Sequence, residues 1–203
     1  MEDELDIIRE VGSIASAQGS ITLSEILGRK VNLLLPSVDI VSADIPRRTD
    51  MQRIGIAVIC KISTGINGQA AFVLDEKNAF KLVSLSDKVS EEDKCPGALT
   101  EMGVSTIKEI GNIVISAYLG AIGAILRKVI LFLPPTFVSG MLGEILNIIF
   151  SSSIADGTTL FIETVFEESQ EKINGSFYLV LSQESVSDIR TVCKKMLEEL
   201  KGK

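Results

Sequence analysis

Three polar residues, Ser105, Glu109 and Asn112, follow one another at the i, i+4 and i+7 positions of a segment with helical periodicity. At 100° per residue they fall within an arc of about 60° on one helix face. The asparagine amide can orient a water molecule or a substrate group by hydrogen bonding, but it cannot take a proton at neutral pH. This face could therefore position reactants, whereas Asn112 could not serve as a general base.

The same residues also fit an ordinary solvated helix face. The neighbouring Ile107, Ile110, Ile113 and Val114 are apolar and are predicted to supply the buried side of the helix. A glutamate and an asparagine on such an amphipathic helix most often do nothing but face water. The spacing by itself leaves both interpretations open.

The composition removes several other kinds of chemistry. Among its 203 residues the chain has no histidine, so Ser-His-Asp and Cys-His catalysis and histidine-ligated metal sites are excluded. It carries 20 Lys+Arg against 27 Asp+Glu, a formal net charge of −7, which argues against a binder of duplex nucleic acid. We predict no metal site on this chain and no nucleic-acid partner.

The cysteines and the apolar stretches bear on the compartment. Cys60, Cys95 and Cys193 are odd in number and far apart, which favours a reducing cytoplasm over a disulfide framework. The first ten residues are acidic where a signal peptide would be basic. The longest uncharged apolar stretch, Ile113–Leu126, is too short to span a bilayer. A cytoplasmic protein without membrane insertion is expected.

Two parts of the chain repeat one pattern. The segment DIIREVGSI (Asp6–Ile14) aligns with STIKEIGNI (Ser105–Ile113), which places Glu10 on Glu109 and Gly12 on Gly111. Glycine inside a helix costs about 1 kcal/mol, so this pair predicts close approach of another backbone. Further matches follow in the same order after a slip of one residue: Arg29–Val31 with Arg127–Val129, Leu33–Pro36 with Leu131–Pro134, and Ile66–Gly68 with Ile173–Gly175. We predict an internal duplication about a pseudo-two-fold axis.

The fold class follows from the elements of the two copies. Each copy is predicted to begin with a long helix, followed by a short strand-like run that ends at proline. Adjacent strand-like runs with helices around them predict an α+β fold with a mainly antiparallel sheet. The whole chain, 1–203, is predicted to be one domain of two repeats, about 1–87 and 98–203, joined by a linker at 88–97. The predicted helices are Glu4–Leu27, Glu76–Leu85, Thr100–Leu126, Phe137–Phe150 and Glu184–Leu200, and the longer predicted strands are Val38–Ile45, Ile54–Ile62, Gly68–Leu74, Thr158–Glu167 and Ser176–Ser182.

This pattern resembles the CheC/CheX/FliY family of phosphatases. That family's signature is an Asp or Ser, three residues, Glu, two residues, Asn, and a proline about twenty-two residues further on. The second copy reads Ser105, Glu109, Asn112 and Pro134, and the presence of two copies in one chain looks like CheC. The first copy keeps Asp6 and Glu10, but Ser13 stands in place of Asn and Pro36 comes one residue late.

The resemblance implies a hydrolase that removes the aspartyl phosphate from the chemotaxis response regulator CheY. In such a receiver the phosphoryl group lies beside a bound Mg²⁺ and a lysine, so the metal belongs to the partner and this chain needs no cofactor. Glu109 would pair with the receiver lysine, and Asn112 would hold the attacking water. Ser105 and Pro134 would be supporting residues. Asp6, Glu10 and Ser13 would form a second, degenerate site.

Two other functions stay open. The chain could be a non-catalytic adaptor that binds phosphorylated CheY or the deamidase CheD, which the resemblance implies as a partner in either case. A structural component of the flagellar switch is disfavoured, because no additional switch-assembly domain is recognised. A fused duplication should satisfy internally the contacts that a single-copy relative makes by dimerising, so we expect a monomer.

Overall fold

The computed structural model of the protein describes residues 2–34, 36–41, 51–85, 99–151 and 159–201. The predicted linker at 88–97, with Cys95, lies outside the described residues, as do the last residues of the predicted strand Val38–Ile45. The elements in chain order are α1 (Glu2–Leu27), β1 (Val31–Leu33), β2 (Ser37–Val41), β3 (Ile54–Thr64), β4 (Gly68–Asp75), α2 (Glu76–Leu85), α3 (Glu101–Leu126), β5 (Leu131–Phe132), β6 (Thr136–Met141), α4 (Leu142–Ser151), β7 (Thr159–Glu168), β8 (Ile173–Ser182) and α5 (Gln183–Lys201).

The described strands form one eight-stranded sheet in which every pairing is antiparallel. The central order is β7-β8-β4-β3; β1 and β2 both pair with β7, and β5 and β6 both pair with β3. Helices accompany the sheet, so the predicted α+β class with a mainly antiparallel sheet is confirmed.

The two predicted repeats exchange their first strands. The strands β1 and β2 of the first half lie on β7 of the second half, and β5 and β6 of the second half lie on β3 of the first. In the middle of the sheet β4 lies beside β8, with Ala71 opposite Tyr178. This order is the one that a duplication about a two-fold axis would produce; the duplication itself stays a prediction.

Reciprocal contacts also tie the first turns of two helices to the opposite half. The side-chain oxygen of Asn78 in α2 accepts a hydrogen bond from the backbone N–H of Asn174, at 3.2 Å. The hydroxyl of Ser185 in α5 accepts one from the backbone N–H of Asn67, at 2.6 Å. The chain at the start of each central strand is therefore held by the helix that follows the other central strand.

Two apolar clusters fix the layers of the domain. The larger one lies between one face of the sheet and the pair α1 and α3, which pack against each other, and it includes side chains from α2 and α5. The smaller one lies on the opposite face, under α4, and contains Ile145, Ile149 and Phe161. Within the described residues α3 is long and apolar enough to cross a membrane by length and composition, but half of its most apolar stretch is buried inside this domain.

The predicted helix Phe137–Phe150 is wrong in its first part. Residues Thr136–Met141 form β6, which pairs along β3 from Ile59 to Ile54, and the helix begins only at Leu142. Pairing with β3 satisfies the backbone hydrogen bonds that a helix would otherwise satisfy within this segment. Phe137 and Val138 pack against opposite faces of the sheet. Tertiary pairing therefore overrides the local helical pattern here.

Candidate functional site on the third helix

Local sequence fixes both ends of α3. Thr100 is the N-cap, and its hydroxyl accepts a hydrogen bond from the backbone N–H of Gly103 at 3.1 Å. The helix ends at Arg127, which adopts the left-handed conformation at φ 52°. Between these ends the helix buries Ile107, Ile110 and Val114 against the sheet. The opposite face is thereby turned to solvent.

The three polar residues singled out by their spacing share this outward face. Ser105 and Glu109 are exposed, and Asn112 is half-buried. Around the helix axis, Ser105 and Asn112 both lie on the same side of Glu109 and within about 60° of it. A carboxylate and an amide thus stand one turn apart, where a partner protein can reach both.

Gly111 brings this part of α3 onto the sheet. A methyl group in place of its hydrogen would lie 2.7 Å from Cβ of Val58 in β3. Gly12 of α1 packs in the same way against Ile162 of β7, where the corresponding distance is 3.2 Å. The glycines were predicted to allow close approach of a backbone, but the neighbour in each case is a β-branched side chain.

Ile113 does not lie where its sequence neighbours predict. It was assigned to the buried side of the helix, yet 38% of its surface is exposed. It lies about 40° from Glu109, on the side away from Asn112, because four residues advance a helix by slightly more than one turn. The polar face of α3 therefore has an apolar edge.

The first helix presents a similar face. Asp6 and Glu10 are exposed and Ser13 is half-buried. The Arg9 guanidinium pairs with the Asp6 carboxylate at 2.6 Å, and this ion pair is solvent-exposed. Ile14, next to Ser13, is 47% exposed. The two helices thus present polar residues at the same spacing, but Asp6 stands in place of Ser105 and the hydroxyl of Ser13 in place of the Asn112 amide.

The prolines that follow the helices differ in their surroundings. Pro36 is buried and directly precedes β2, and it lies beside Gly12 of α1. In the second half Pro135 directly precedes β6, whereas Pro134 lies one residue earlier and is exposed. By position in the fold, Pro135 is the equivalent of Pro36, and the interval from Ser13 to Pro36 then equals the interval from Asn112 to Pro135. When Pro36 is aligned with Pro135 and not with Pro134, the one-residue difference between the two copies disappears.

Two titratable groups in the core are held neutral. Burial raises the pKa of the Cys60 thiol to about 12. Burial also raises the pKa of Tyr118 well above its usual range, and a hydrogen bond with Ser16 partly opposes this shift. Among the described residues, no group of three His, Cys, Asp or Glu side chains could hold a metal ion. The outward face of α3 carries a carboxylate, an amide and a hydroxyl.

A cleft of about 690 Å³ lies away from α3, on the face of the sheet that carries α4. Its wall includes the buried Glu163, whose carboxylate accepts hydrogen bonds from Ser176 at 3.2 Å and Tyr178 at 3.0 Å. No sequence signal marks Glu163 as functional, because it lies within an otherwise apolar strand pattern. Its buried hydrogen bonds fit a structural role in joining β7 to β8.

The architecture and the sequence are similar to those of proteins of chemotaxis. No protein-family model matches the chain. The CheY-P phosphatase CheC of Bacillus subtilis is 20% identical over 199 residues, which cover 91% of this chain and 90% of that protein. The crystal structure of Thermotoga maritima FliY superposes with a TM-score of 0.73 at 23% identity, covering 96% of this chain and 98% of that one. The chain is therefore similar in sequence to a CheC and in fold to a FliY.

More distant structures share the fold of this chain. CheX in the CheX–CheY–BeF₃–Mg²⁺ complex from Borrelia burgdorferi matches with a TM-score of 0.52 at 18% identity, over 88% of this chain and 99% of that one. The FliM of the Helicobacter pylori FliM–SpeE complex matches with a TM-score of 0.60 at 12% identity, over 96% of both chains. The fold therefore occurs in proteins crystallised with quite different partners.

Proposed function

We propose that this protein is a member of the CheC/CheX/FliY family and a phosphatase that hydrolyses the aspartyl phosphate of a CheY-type receiver. The observation that carries the proposal is the joint presentation of Glu109 and Asn112 on the outward face of α3. The likeness to a CheY-P phosphatase supports the choice of substrate. A CheX of the same fold in complex with CheY supports a receiver as the partner.

In the proposed mechanism the helix enters the phosphorylation site of the receiver. Glu109 pairs with the receiver lysine and fixes the register of the two proteins. Asn112 then holds a water molecule in line with the phosphorus atom through its amide. Phosphoryl transfer needs little covalent help from a protein, so positioning a water can suffice. The receiver supplies the Mg²⁺, and this chain contributes no cofactor.

Supporting roles fall to residues around this pair. Ser105, one turn before Glu109, orders the start of the face. The proline before the second strand of each half is assigned the role of supporting the helix, since Pro36 lies beside Gly12 of α1. In the second half we assign this role to Pro135 together with Pro134, because Pro135 directly precedes β6.

We further propose that the face of α1 is a degenerate copy of the site. Asp6 and Glu10 are presented to solvent in the same way, so a receiver could still dock there. The hydroxyl of Ser13 is shorter than an asparagine amide and would not reach the same water. Docking without turnover is the consequence.

The alternative function is that of a non-catalytic adaptor for phosphorylated CheY or for CheD. The FliM–SpeE complex supports this alternative, because a protein of the same fold is bound to another protein in that structure. Under either function we propose a cytoplasmic monomer, since the exchanged strands already satisfy within one chain the contacts between the two halves.

The deciding experiment follows the decay of a phosphorylated CheY-type receiver with and without this protein. Acceleration that needs Asn112 supports the phosphatase. A protein that binds the phosphorylated receiver and leaves its decay rate unchanged is the adaptor.

A further inference from the structure

We propose that Ile113 is an apolar positioning residue that the docked receiver covers. This inference rests on the proposed function, because it assigns a role within the same face of α3. It concerns the affinity for the receiver, whereas the step at phosphorus belongs to Asn112.

The placement of Ile113 carries the argument. Its side chain lies one turn after Glu109 on the solvent side of α3, with 38% of its surface exposed. Met102, two turns before Glu109 and near the same line along the helix, is 49% exposed. Apolar side chains thus form one edge of the face, and Asn112 and Ser105 form the other.

Ile113 has no evident benefit for the isolated domain. Isoleucine is a poorer helix former than alanine or glutamate, and an exposed isoleucine leaves apolar surface in water. The first helix nevertheless has the same residue in the same place, because Ile14 lies one turn after Glu10 and is 47% exposed. Both helices therefore keep an exposed isoleucine beside the glutamate, even where the asparagine is replaced.

The occupant that fits is the receiver itself. Ile113 lies about 40° beyond Glu109, so a partner that contacts Glu109 and Asn112 has the Ile113 side chain at the edge of the same interface. Protein interfaces commonly set an apolar anchor beside the polar groups that give specificity. The related CheX–CheY complex supports a receiver as a partner of this fold.

The test compares Ile113→Ala with Ile148→Ala. Ile148 is a matched control, since it is also a helical isoleucine, is 46% exposed, and lies on α4 at the opposite face of the sheet. Dephosphorylation is measured over a range of receiver concentrations, and direct binding of the phosphorylated receiver is titrated separately. We expect Ile113→Ala to raise KM and weaken binding by about tenfold, with kcat within twofold of the parent.

Ile113→Leu should recover most of the affinity, because it restores an apolar side chain of equal size. Thermal unfolding of each variant confirms that the fold is intact. An unchanged KM and an unchanged affinity for Ile113→Ala, in a parent protein that binds the receiver, would overturn the inference. A fall in kcat alone for Ile113→Ala would overturn it too, since Ile113 would then affect the chemical step and not the affinity for the receiver. A parent protein that neither binds nor dephosphorylates the receiver would instead reject the proposed function.

Discussion

Gly111 of α3 lies so close to Val58 of β3 that a methyl group on Gly111 would be 2.7 Å from the Val58 Cβ. Real Cβ atoms do not approach each other to this distance, so the helix can take its place only with glycine at this position. Asn112 and Glu109 flank Gly111 along the chain and face solvent as a consequence. Packing on one side of α3 thus sets the geometry of the proposed site on the other.

The first prediction concerns stability at this contact. Gly111→Ala should lower the free energy of unfolding by about 1–3 kcal/mol, because the helix or Val58 must move to relieve the overlap. Gly12→Ala should cost less, since the contact with Ile162 is longer, at 3.2 Å. Chemical denaturation measures both values. An equal or larger loss at Gly12 would contradict the assigned packing.

Gly120 provides the control within the same helix. It is exposed, and a methyl group there would meet nothing within 4 Å. Gly120→Ala should therefore stabilise the protein by about 0.5–1 kcal/mol through helix propensity. If Gly120→Ala instead lowered the stability, the loss in Gly111→Ala could not be assigned to the contact with Val58.

The second prediction concerns the water-orienting amide. Asn112→Ala should reduce the acceleration of receiver dephosphorylation by roughly 100-fold while the affinity for the receiver changes little. Ser116→Ala, an exposed change one turn further along α3, should leave the rate unchanged. The comparison uses the decay of phosphorylated receiver at saturating concentrations of each variant. Full activity in Asn112→Ala would remove the amide from the mechanism.

The third prediction concerns Glu109. Glu109→Ala should raise KM more than it lowers kcat, because its proposed pairing with the receiver lysine fixes docking. Glu109→Gln keeps the size of the side chain and removes its charge, so it should show most of the same defect. If the alanine variant lost kcat at unchanged KM, the docking role would be wrong.

The fourth prediction restores the missing amide in the first helix. Ser13→Asn places an asparagine one turn after Glu10, on a face that already carries the exposed Asp6 and Ile14. In an Asn112→Ala background this change should return measurable dephosphorylation, while Ser13→Ala should not. No gain in a folded double variant would mean that α1 does not dock a receiver in a productive orientation.

The fifth prediction concerns alkaline pH. The Cys60 thiol has a pKa of about 12 in the fold against an ordinary value of 9.0, so the unfolded chain loses this proton first. Stability should therefore be intact below pH 9 and fall as the pH rises from 9 toward 12, by at most about 1.4 kcal/mol per pH unit for this group. Tyr118 acts in the same direction, starting near its ordinary value of 10.0. Denaturation midpoints at pH 8 and pH 10.5 measure the effect, and the Tyr118→Phe variant should show a shallower decline.

The sequence alone determined much about the local elements. The helix Glu76–Leu85 is found at its predicted bounds, and α3 begins one residue after the predicted Thr100, which is instead its N-cap. Such elements depend on periodicity and capping within a few residues. The i, i+4, i+7 spacing of Ser105, Glu109 and Asn112 likewise puts them on one face of any helix that contains them.

Tertiary structure decided what the local pattern left open. Phe137 lies in a strand and not in a helix, because β3 offers a partner for its backbone from a distant part of the chain. Ile113 is exposed although apolar, because the glycine two residues earlier turns a different side of α3 toward Val58. The exchange of first strands between the halves is invisible in the sequence for the same reason: which strands meet depends on packing across the whole chain, and local periodicity carries no information about a distant partner.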